Sequence, residues 1–226
     1  MKRSTINTLI REGESFFASH EFHLPPWAHW EPESWRAHSG QAGEIAQTQL
    51  GWDLTDFGRG EFEKRGLLLF TIRNGMPDGS IKPYCEKALI IKENQETPFH
   101  FHWHKTEDII NRAGGTLIME AAWADDEGGL ADREVEVAVD GLPRRVPAGT
   151  PIRLQPGESI TLPPYLYHRF YAEEGTGTVL AGEVSTVNDD KNDNRFLEEL
   201  GRFPEIQEDE PPYRLLVSDY PSFVAE

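Results

Sequence analysis

The stretch from about Gly66 to Ser185 constrains the fold most, because it consists of short runs of β-forming residues separated by turns. Breaks rich in glycine, proline and aspartate stand between most of the runs. The predicted strands are Leu67–Arg73, Lys87–Lys92, Pro98–Trp103, Thr116–Ala122, Glu134–Asp140, Thr150–Leu154, Ser159–Leu162, Tyr167–Ala172 and Thr178–Ser185. So many short strands at close spacing predict a mainly β protein, built as a sandwich or a barrel.

The N-terminal part has a different pattern and is predicted to be helical. Residues 4–19 carry apolar side chains at helical spacing, and Ser4 can cap that helix. Two consecutive prolines then break the pattern, and a second helical stretch is expected over Glu31–Ala46. Gly51–Gly58 is predicted to be a turn-rich connection. We expect the helices to pack on the outside of the β core.

The segment after the strands begins with a dense polar turn, Asn188–Arg195. A short helix is predicted over Phe196–Leu200, and Tyr213–Val217 is predicted to add an edge strand or to dock on a partner. The chain shows no internal repeat and no linker long enough to separate two domains. We therefore expect one domain over residues 1–226, with a helical N-terminal extension (1–65), a β-barrel core (66–187) and a C-terminal turn, short helix and tail (188–226).

Composition limits the kinds of partner. A net charge of −17 disfavours nucleic acid and anionic lipid, and it favours a small neutral substrate. The sequence contains no apolar run long enough for a membrane span and no signal-peptide pattern at its start. Its single cysteine, Cys85, suits a reducing compartment, so a cytoplasmic location is expected.

Two short segments contain four residues able to ligate a metal: His100, His102, Glu107 and His168. On a strand, residues two apart share a face, so His100 and His102 can both reach one ion. Glu107 follows a short turn, and strand pairing would have to bring His168 in. Three imidazoles and one carboxylate suit Mn, Fe, Co, Ni or Zn better than Ca or Mg. We expect a divalent metal site with positions left free for a substrate.

These two segments resemble the two cupin motifs. The first motif is matched by His100, His102, Glu107 and Gly114, and the second by Gly157, Pro163 and His168. Three positions depart from the pattern: Asn94 and Tyr165 replace glycines, and Ala172 replaces an asparagine. The resemblance implies a cupin jelly-roll barrel or sandwich with the N-terminal helices packed outside. Asn94 can preserve the first turn, because asparagine tolerates positive φ.

A finer resemblance extends over nearly the whole chain. The stretches His23–Pro26, Leu50–Gly58, Leu69–Gly75, His100–Asn111, Val187–Asp190 and Asp193–Phe196 look like the D-lyxose ketol-isomerase family of cupins. The family resemblance implies interconversion of D-lyxose with D-xylulose, and often of D-mannose with D-fructose, using Mn²⁺ or a related ion. Cupins commonly pair through sheet edges, so a homodimer is expected by analogy.

Residues near the ligands suit this chemistry. Isomerisation must weaken a C–H bond beside a carbonyl, which needs charge stabilisation of an enediolate and a base that moves a proton between C2 and C1. Glu183 is the preferred base, since ligation would weaken the basicity of the other candidate, Glu107. Lys105 is predicted to stabilise or protonate an alkoxide and to bind substrate. Asp193 and Arg195 are predicted to bind sugar hydroxyls or open the ring. A hydride shift remains an open alternative.

Other interpretations are compatible with the ligand set. A cupin dioxygenase or oxidase would use the same three histidines and one glutamate, and a non-catalytic sugar-binding cupin would use the same fold. His104 shares strand parity with the ligands and is interpreted as a residue at the rim of the pocket. Lys87, Trp52 and Asp53 are further, weaker candidates for the pocket.

Overall fold

The helices of the protein lie mostly at its N-terminal end. The computed structural model describes residues 1–189, 192–201 and 204–224, so Asp190 and Lys191 of the predicted polar turn lie outside the described residues. The α-helices are α1 (Arg3–Ser19), α2 (Pro32–Ala37) and α3 (Gly43–Gln47). Short 3-10 helices cover Pro26–His29, Ser39–Gln41 and Val217–Ser222. In the described part of the chain, no helix is both long and apolar enough to cross a membrane.

Thirteen strands follow in the described residues, and they form two antiparallel sheets. The strands are β1 (Gly51–Thr55), β2 (Leu67–Arg73), β3 (Tyr84–Ile91), β4 (Thr97–His102), β5 (Glu107–Gly114), β6 (Leu117–Trp123), β7 (Val135–Val139), β8 (Leu142–Val146), β9 (Ile152–Leu154), β10 (Ser159–Leu162), β11 (Leu166–Ala172), β12 (Val179–Thr186) and β13 (Asn194–Phe196). One sheet has the order β1-β2-β3-β12-β5-β10-β7-β8, and the other has β13-β4-β11-β6-β9. The predicted mainly β cupin fold is confirmed.

The main apolar core lies between the two sheets. Alternate residues of each strand point inward, as in β11, where Leu166, Phe170 and Ala172 are all buried in this core. A second apolar cluster lies on the other face of the eight-stranded sheet, beneath α1. Ile6, Leu9, Ile10 and Phe17 form the buried stripe of α1 in that cluster. The N-terminal helix therefore packs outside the β core, as predicted.

The C-terminal segment holds α1 in place through a buried ionic cluster. The Arg3 guanidinium is 2% exposed and donates to the carboxylates of both Glu208 and Asp219. Asn7, one turn further along α1, donates to Glu210. A buried arginine needs such complete pairing, since removing one partner would leave its charge uncompensated. These contacts anchor the C-terminal segment to α1.

Several predicted elements differ from the observed ones. Gly51–Gly58 was predicted to be a turn, but Gly51–Thr55 forms β1, with all five residues buried. The sequence did not show this strand because both of its faces are covered, which removes the polar–apolar alternation. The predicted helix Phe196–Leu200 is absent: Phe196 ends β13, and 197–201 is not helical. The predicted helix Glu31–Ala46 is divided into α2 and α3 by a 3-10 turn.

Asn94 and Tyr165, which replace two motif glycines, both have the left-handed backbone that the glycines would favour. Their φ angles are 57° and 62°. Asparagine tolerates this region well, whereas a tyrosine there is strained. The turns of both motifs are thus preserved in spite of the substitutions, and they deliver the strands that carry the predicted metal ligands.

Candidate metal centre and active site

Strand pairing brings the three predicted histidine ligands together. His168 on β11 lies directly opposite His100 on β4, and their ring centroids are 4.2 Å apart. His102 lies two residues further along β4 on the same face, and its ring centroid is 5.2 Å from that of His100. All three side chains are buried at the inner face of the five-stranded sheet. The two sequence segments therefore meet at one point.

Glu107 reaches the same point from the opposite sheet, because it is the first residue of β5. Its Oε1 lies 2.9 Å from His168 Nε2 and 3.3 Å from His102 Nε2. One ligand atom from each of the three histidines and from Glu107 falls within 4.8 Å of every other. Four donor atoms at this separation can surround a single ion.

The hydrogen bonds of the histidines determine which ring nitrogen faces this point. Each Nδ1 contacts a backbone carbonyl: Pro98 O for His100 at 2.9 Å, Asp193 O for His102 at 3.2 Å, and Leu166 O for His168 at 3.0 Å. A carbonyl only accepts, so each Nδ1 must carry the proton. In a neutral imidazole the Nε2 lone pair is then free to bind a metal. Such outer hydrogen bonds are the usual means of orienting metal-binding histidines.

The electrostatics favour the form of the histidines that binds a metal. Burial lowers the pKa of His100 well below its usual value, and burial together with the charge of Lys105 lowers the pKa of His102. Both rings are therefore neutral at pH 7. His102 Nε2, His168 Nε2 and Glu107 Oε1 are buried without a hydrogen-bond partner among the described residues. Their short contacts with one another lack a hydrogen to share, so the four residues fit a divalent metal ion.

A chain of alternating charges continues from the cluster. Lys105 Nζ lies 2.8 Å from Glu107 Oε2 and 2.9 Å from Glu183 Oε1. Lys87 Nζ approaches the other side of Glu183, at 3.1 Å from Oε1 and 3.3 Å from Oε2, and it also donates to Asn188 Oδ1 at 2.7 Å. These two lysines and two glutamates are each no more than 6% exposed. Two ammonium groups thus balance two carboxylates in a buried network.

The network keeps all of its carboxylates ionised. Burial on its own raises the pKa of Glu107, but Lys105 and His102 prevail and hold it well below the usual range. Burial likewise opposes ionisation of Glu183, yet Lys105 and Lys87 together bring its pKa below the usual value. Burial also favours the neutral form of Lys105, but the two carboxylates outweigh it and raise its pKa. The pKa directions therefore favour an ionised Glu183 and a charged Lys105 at neutral pH.

A cavity of about 610 Å³, measured with its open mouth, connects the cluster and the network. Its polar lining is Thr55, Lys87, Thr97, His100, His102, Lys105, Glu107, Glu183 and Asn194. Its apolar lining is Phe57, Leu67, Leu69, Leu89, Ile109, Phe170 and Phe196. A cavity that combines several charged and polar groups with apolar side chains suits a small polar molecule bound in a fixed orientation.

Similarity to known proteins agrees with this chemistry. A model of the D-lyxose isomerase family matches residues 1–220. The chain belongs to the D-lyxose isomerase family. A D-lyxose/D-mannose isomerase of Serratia proteamaculans is 51% identical over 228 residues and covers 100% of both chains. One of Escherichia coli O157:H7 is 49% identical over 226 residues, covering 99% of this chain and 100% of the relative.

Solved structures support the fold of this family member independently. Unliganded Cellulomonas parahominis L-ribose isomerase superposes with a TM-score of 0.61 at 16% identity, covering 92% of this chain and 98% of the other. Acinetobacter sp. DL28 L-ribose isomerase, in complex with L-ribose, gives 0.56 at 14% identity, covering 88% of this chain and 93% of the other. At such identities the likeness concerns the fold alone. Membership of the D-lyxose isomerase family makes the protein an enzyme of the isomerase class that acts on sugars.

Asp193 and Arg195 lie near the centre of this D-lyxose isomerase family member but not on the cavity wall. The Asp193 carboxylate accepts from the backbone N–H groups of His104 and Lys105, at 2.8 and 3.0 Å. Arg195 is exposed and donates from Nε to the Tyr167 hydroxyl at 3.2 Å. The structure therefore brings Lys105, Glu107 and Glu183 to the cavity, whereas Asp193 shapes the turn that carries Lys105.

Of the remaining candidates, some line the cavity and others lie away from it. His104 is exposed beyond the end of β4. Trp52 is buried in the cluster beneath α1, and neither Trp52 nor Asp53 lines the cavity. Lys87, a weak candidate from the sequence, is a full member of the charge network. Asn194 and Phe196 of β13 line the cavity, although neither was a candidate for the site. Because side chains alternate along a strand, Asn194 and Phe196 of β13 face the cavity and Arg195 faces the other way. This difference can be predicted only when the strand itself is known.

Proposed function

We propose that the protein is a metal-dependent aldose–ketose isomerase that interconverts D-lyxose with D-xylulose and D-mannose with D-fructose. The buried charge network beside the three-histidine, one-glutamate cluster carries this proposal, because it supplies a base and a cation where an acyclic sugar would present C1 and C2. Family membership and the names of the relatives support the choice of sugars. A cupin oxidase would have less use for a buried pair of lysines, and a non-catalytic cupin would have no use for an ionised buried base.

His100, His102, Glu107 and His168 would hold the ion, and we propose Mn²⁺ because mixed imidazole and carboxylate ligands suit it. A divalent ion there supplies Lewis-acid polarisation of the substrate carbonyl. The protein provides the rest. The apolar wall excludes bulk water from one side of the substrate, which strengthens the electrostatic effects of the neighbouring charges. The homodimer and the cytoplasmic location remain predictions from the sequence.

We assign the proton transfer to Glu183. Its carboxylate is ionised at neutral pH, so it can accept the proton from C2 of the aldose and return it to C1. The hydroxyl proton passes from O2 to the adjacent O1 at the enediol stage, which completes the conversion to the ketose. Lys105 lies between Glu183 and Glu107 and keeps its proton firmly. It therefore stabilises the developing negative charge on oxygen as a hydrogen-bond donor, and it is poorly suited to carrying protons itself. Glu107 serves mainly as a ligand whose charge positions Lys105.

Turnover in heavy water tests the reaction and the assignment together. Purified protein supplied with Mn²⁺ is incubated with D-lyxose or D-mannose in D₂O, and the ketose is followed by NMR. We expect D-xylulose and D-fructose to form with deuterium at C1, because a carboxylate base exchanges its proton with solvent. Ketose formed without any deuterium would replace proton transfer by a hydride shift. Absence of ketose from both sugars would contradict the proposed function.

A further inference from the structure

Thr97 presents to the cavity a hydroxyl that no other described residue uses. The residue is 5% exposed and lines the cavity. Its Oγ1 is buried and has no hydrogen-bond partner in the part of the chain that the structure describes. Valine has the same shape and would fill this position without a buried polar atom. A hydroxyl left unsatisfied by the protein at such a place needs a partner from the ligand or from solvent.

A β-bulge aims this side chain at the substrate site. By strict alternation Thr97 would face away from His100, since the two are three residues apart. Opposite them, however, Phe170 pairs with Thr97 while His168 pairs with His100, so β4 contains one extra residue against β11. The bulge turns Thr97 to the face that carries the histidines. Bulges next to active sites commonly re-aim a side chain in this way.

The surroundings of Thr97 make it distinctive among the polar groups of the cavity. Lys87 and Lys105 both donate to the Glu183 carboxylate, and the Thr55 hydroxyl accepts from the backbone N–H of Phe57 at 3.0 Å. Phe170, which pairs with Thr97, belongs to the apolar core, as do the other cavity residues Leu67, Leu69, Leu89 and Ile109. Beside Phe170, Thr97 offers a hydrogen bond that the apolar lining residues do not offer.

We infer that Thr97 is a specificity-determining residue that hydrogen-bonds the C5 hydroxyl of the acyclic sugar. The inference rests on the proposed function, which places C1 and C2 at the metal ligands and Glu183. Phe170, the partner of Thr97, lies two residues beyond His168 on β11, which corresponds to ~7 Å along the strand. An extended pentose bound at C1 and C2 spans a comparable length to its last hydroxyl. The Thr97 hydroxyl can donate to that oxygen or accept from it.

The test compares Thr97→Val and Thr97→Ser with the wild type on D-lyxose and on 5-deoxy-D-lyxose. Loss of one neutral hydrogen bond should reduce kcat/KM of Thr97→Val for D-lyxose roughly five- to tenfold. The value for 5-deoxy-D-lyxose should stay unchanged, and Thr97→Ser should retain most of the activity on D-lyxose. Calorimetric binding of D-arabinitol, the reduced open-chain form of D-lyxose, should weaken by the same factor in Thr97→Val.

Equal losses on both sugars, or no loss on either, would overturn the role of Thr97. If Thr97→Val fails to fold, the wild type decides alone: it must favour D-lyxose over 5-deoxy-D-lyxose by the same factor, and equal use of the two sugars would overturn the inference. The outcome for the proposed function is separate. A wild type that converts D-lyxose while Thr97→Val converts it equally well contradicts the inference only, whereas a wild type inactive on both sugars contradicts both.

Discussion

The two sheets that face the cavity contribute different chemistry. The five-stranded sheet supplies three imidazoles, each with Nδ1 held by a backbone carbonyl. The eight-stranded sheet, with the turn that leads into β5, supplies charged groups held by one another: Lys87, Lys105, Glu107 and Glu183. Hydrogen bonds to the backbone hold the histidine rings in place, whereas the charged side chains are held by ion pairs with one another. Removing one of the histidines should therefore abolish metal binding. Removing Lys87, Lys105 or Glu183, which are not among the proposed ligands, should lower turnover while the metal is retained.

His102→Ala should have the largest effect. It deletes one ligand and leaves Glu107 Oε1 with one fewer neighbour, so we expect metal content near zero and no detectable ketose. Elemental analysis of the purified variant and a ketose assay check both. His104→Ala is the matched control, because His104 is exposed two residues further along. The distinction between the sheets is lost if His102→Ala retains its metal, or if His104→Ala loses it.

Glu183→Gln tests the eight-stranded sheet in the same manner. The amide keeps the shape of the side chain but cannot accept a proton from C2. We expect normal metal content and a kcat lowered about 10²- to 10⁴-fold, the usual contribution of a general base. Stopped assays at saturating D-lyxose, with metal analysis of the same sample, provide the measurement. Near-native kcat would remove Glu183 from the role of base.

Lys87→Met should have a smaller effect with a characteristic pH dependence. Lys87 lowers the pKa of Glu183, so its removal should raise that pKa. Glu183 then becomes protonated at a higher pH than in the wild type. The acidic limb of the kcat–pH profile should therefore move to higher pH by about one unit. At neutral pH we expect roughly a tenfold lower kcat. An unshifted acidic limb in the kcat–pH profile would show that Lys87 does not set the ionisation of Glu183.

Arg195→Ala should have the smallest effect. The side chain is exposed and bonds to the Tyr167 hydroxyl away from the cavity wall, so kcat/KM for D-lyxose should change by less than about twofold. The prediction from sequence that Arg195 binds substrate requires a much larger rise in KM. Steady-state kinetics on the single variant distinguish the two expectations.

The sequence revealed the four candidate metal ligands better than it revealed the rest of the cavity. His100, His102, Glu107 and His168 could be predicted because metal ligation imposes fixed residue types at fixed spacing. Lys87 gave only a weak signal, since a lysine on a strand is usually exposed, and its burial depends on the pairing of β3 with β12 opposite Glu183. Thr97 gave no signal, because a bulge reverses the direction that alternation predicts.

The secondary structure was likewise predictable only in part. Helix α1 and most strands were predictable from apolar periodicity, which is preserved wherever one face is buried. β8 escaped because it is mostly exposed and carries Pro143, Arg144 and Arg145. β5 was not among the predicted strands, because its buried positions include the polar residues Glu107 and Asn111, which obscure the apolar alternation. On β13, side-chain alternation places Asn194 and Phe196 on the cavity side and Arg195 on the other side. A strand of three residues is too short for this alternation to be recognised in the sequence.

The most direct test is a titration of Mn²⁺ into protein stripped by a chelator, with D-xylulose formation from D-lyxose measured at each addition. We predict no activity before addition, a rise to saturation at one ion per chain, and no rise in His102→Ala over the same range. Full activity in the stripped protein, or equal activation of His102→Ala, would contradict the claim that the imidazole sheet and the charged sheet act on a sugar through one shared metal site.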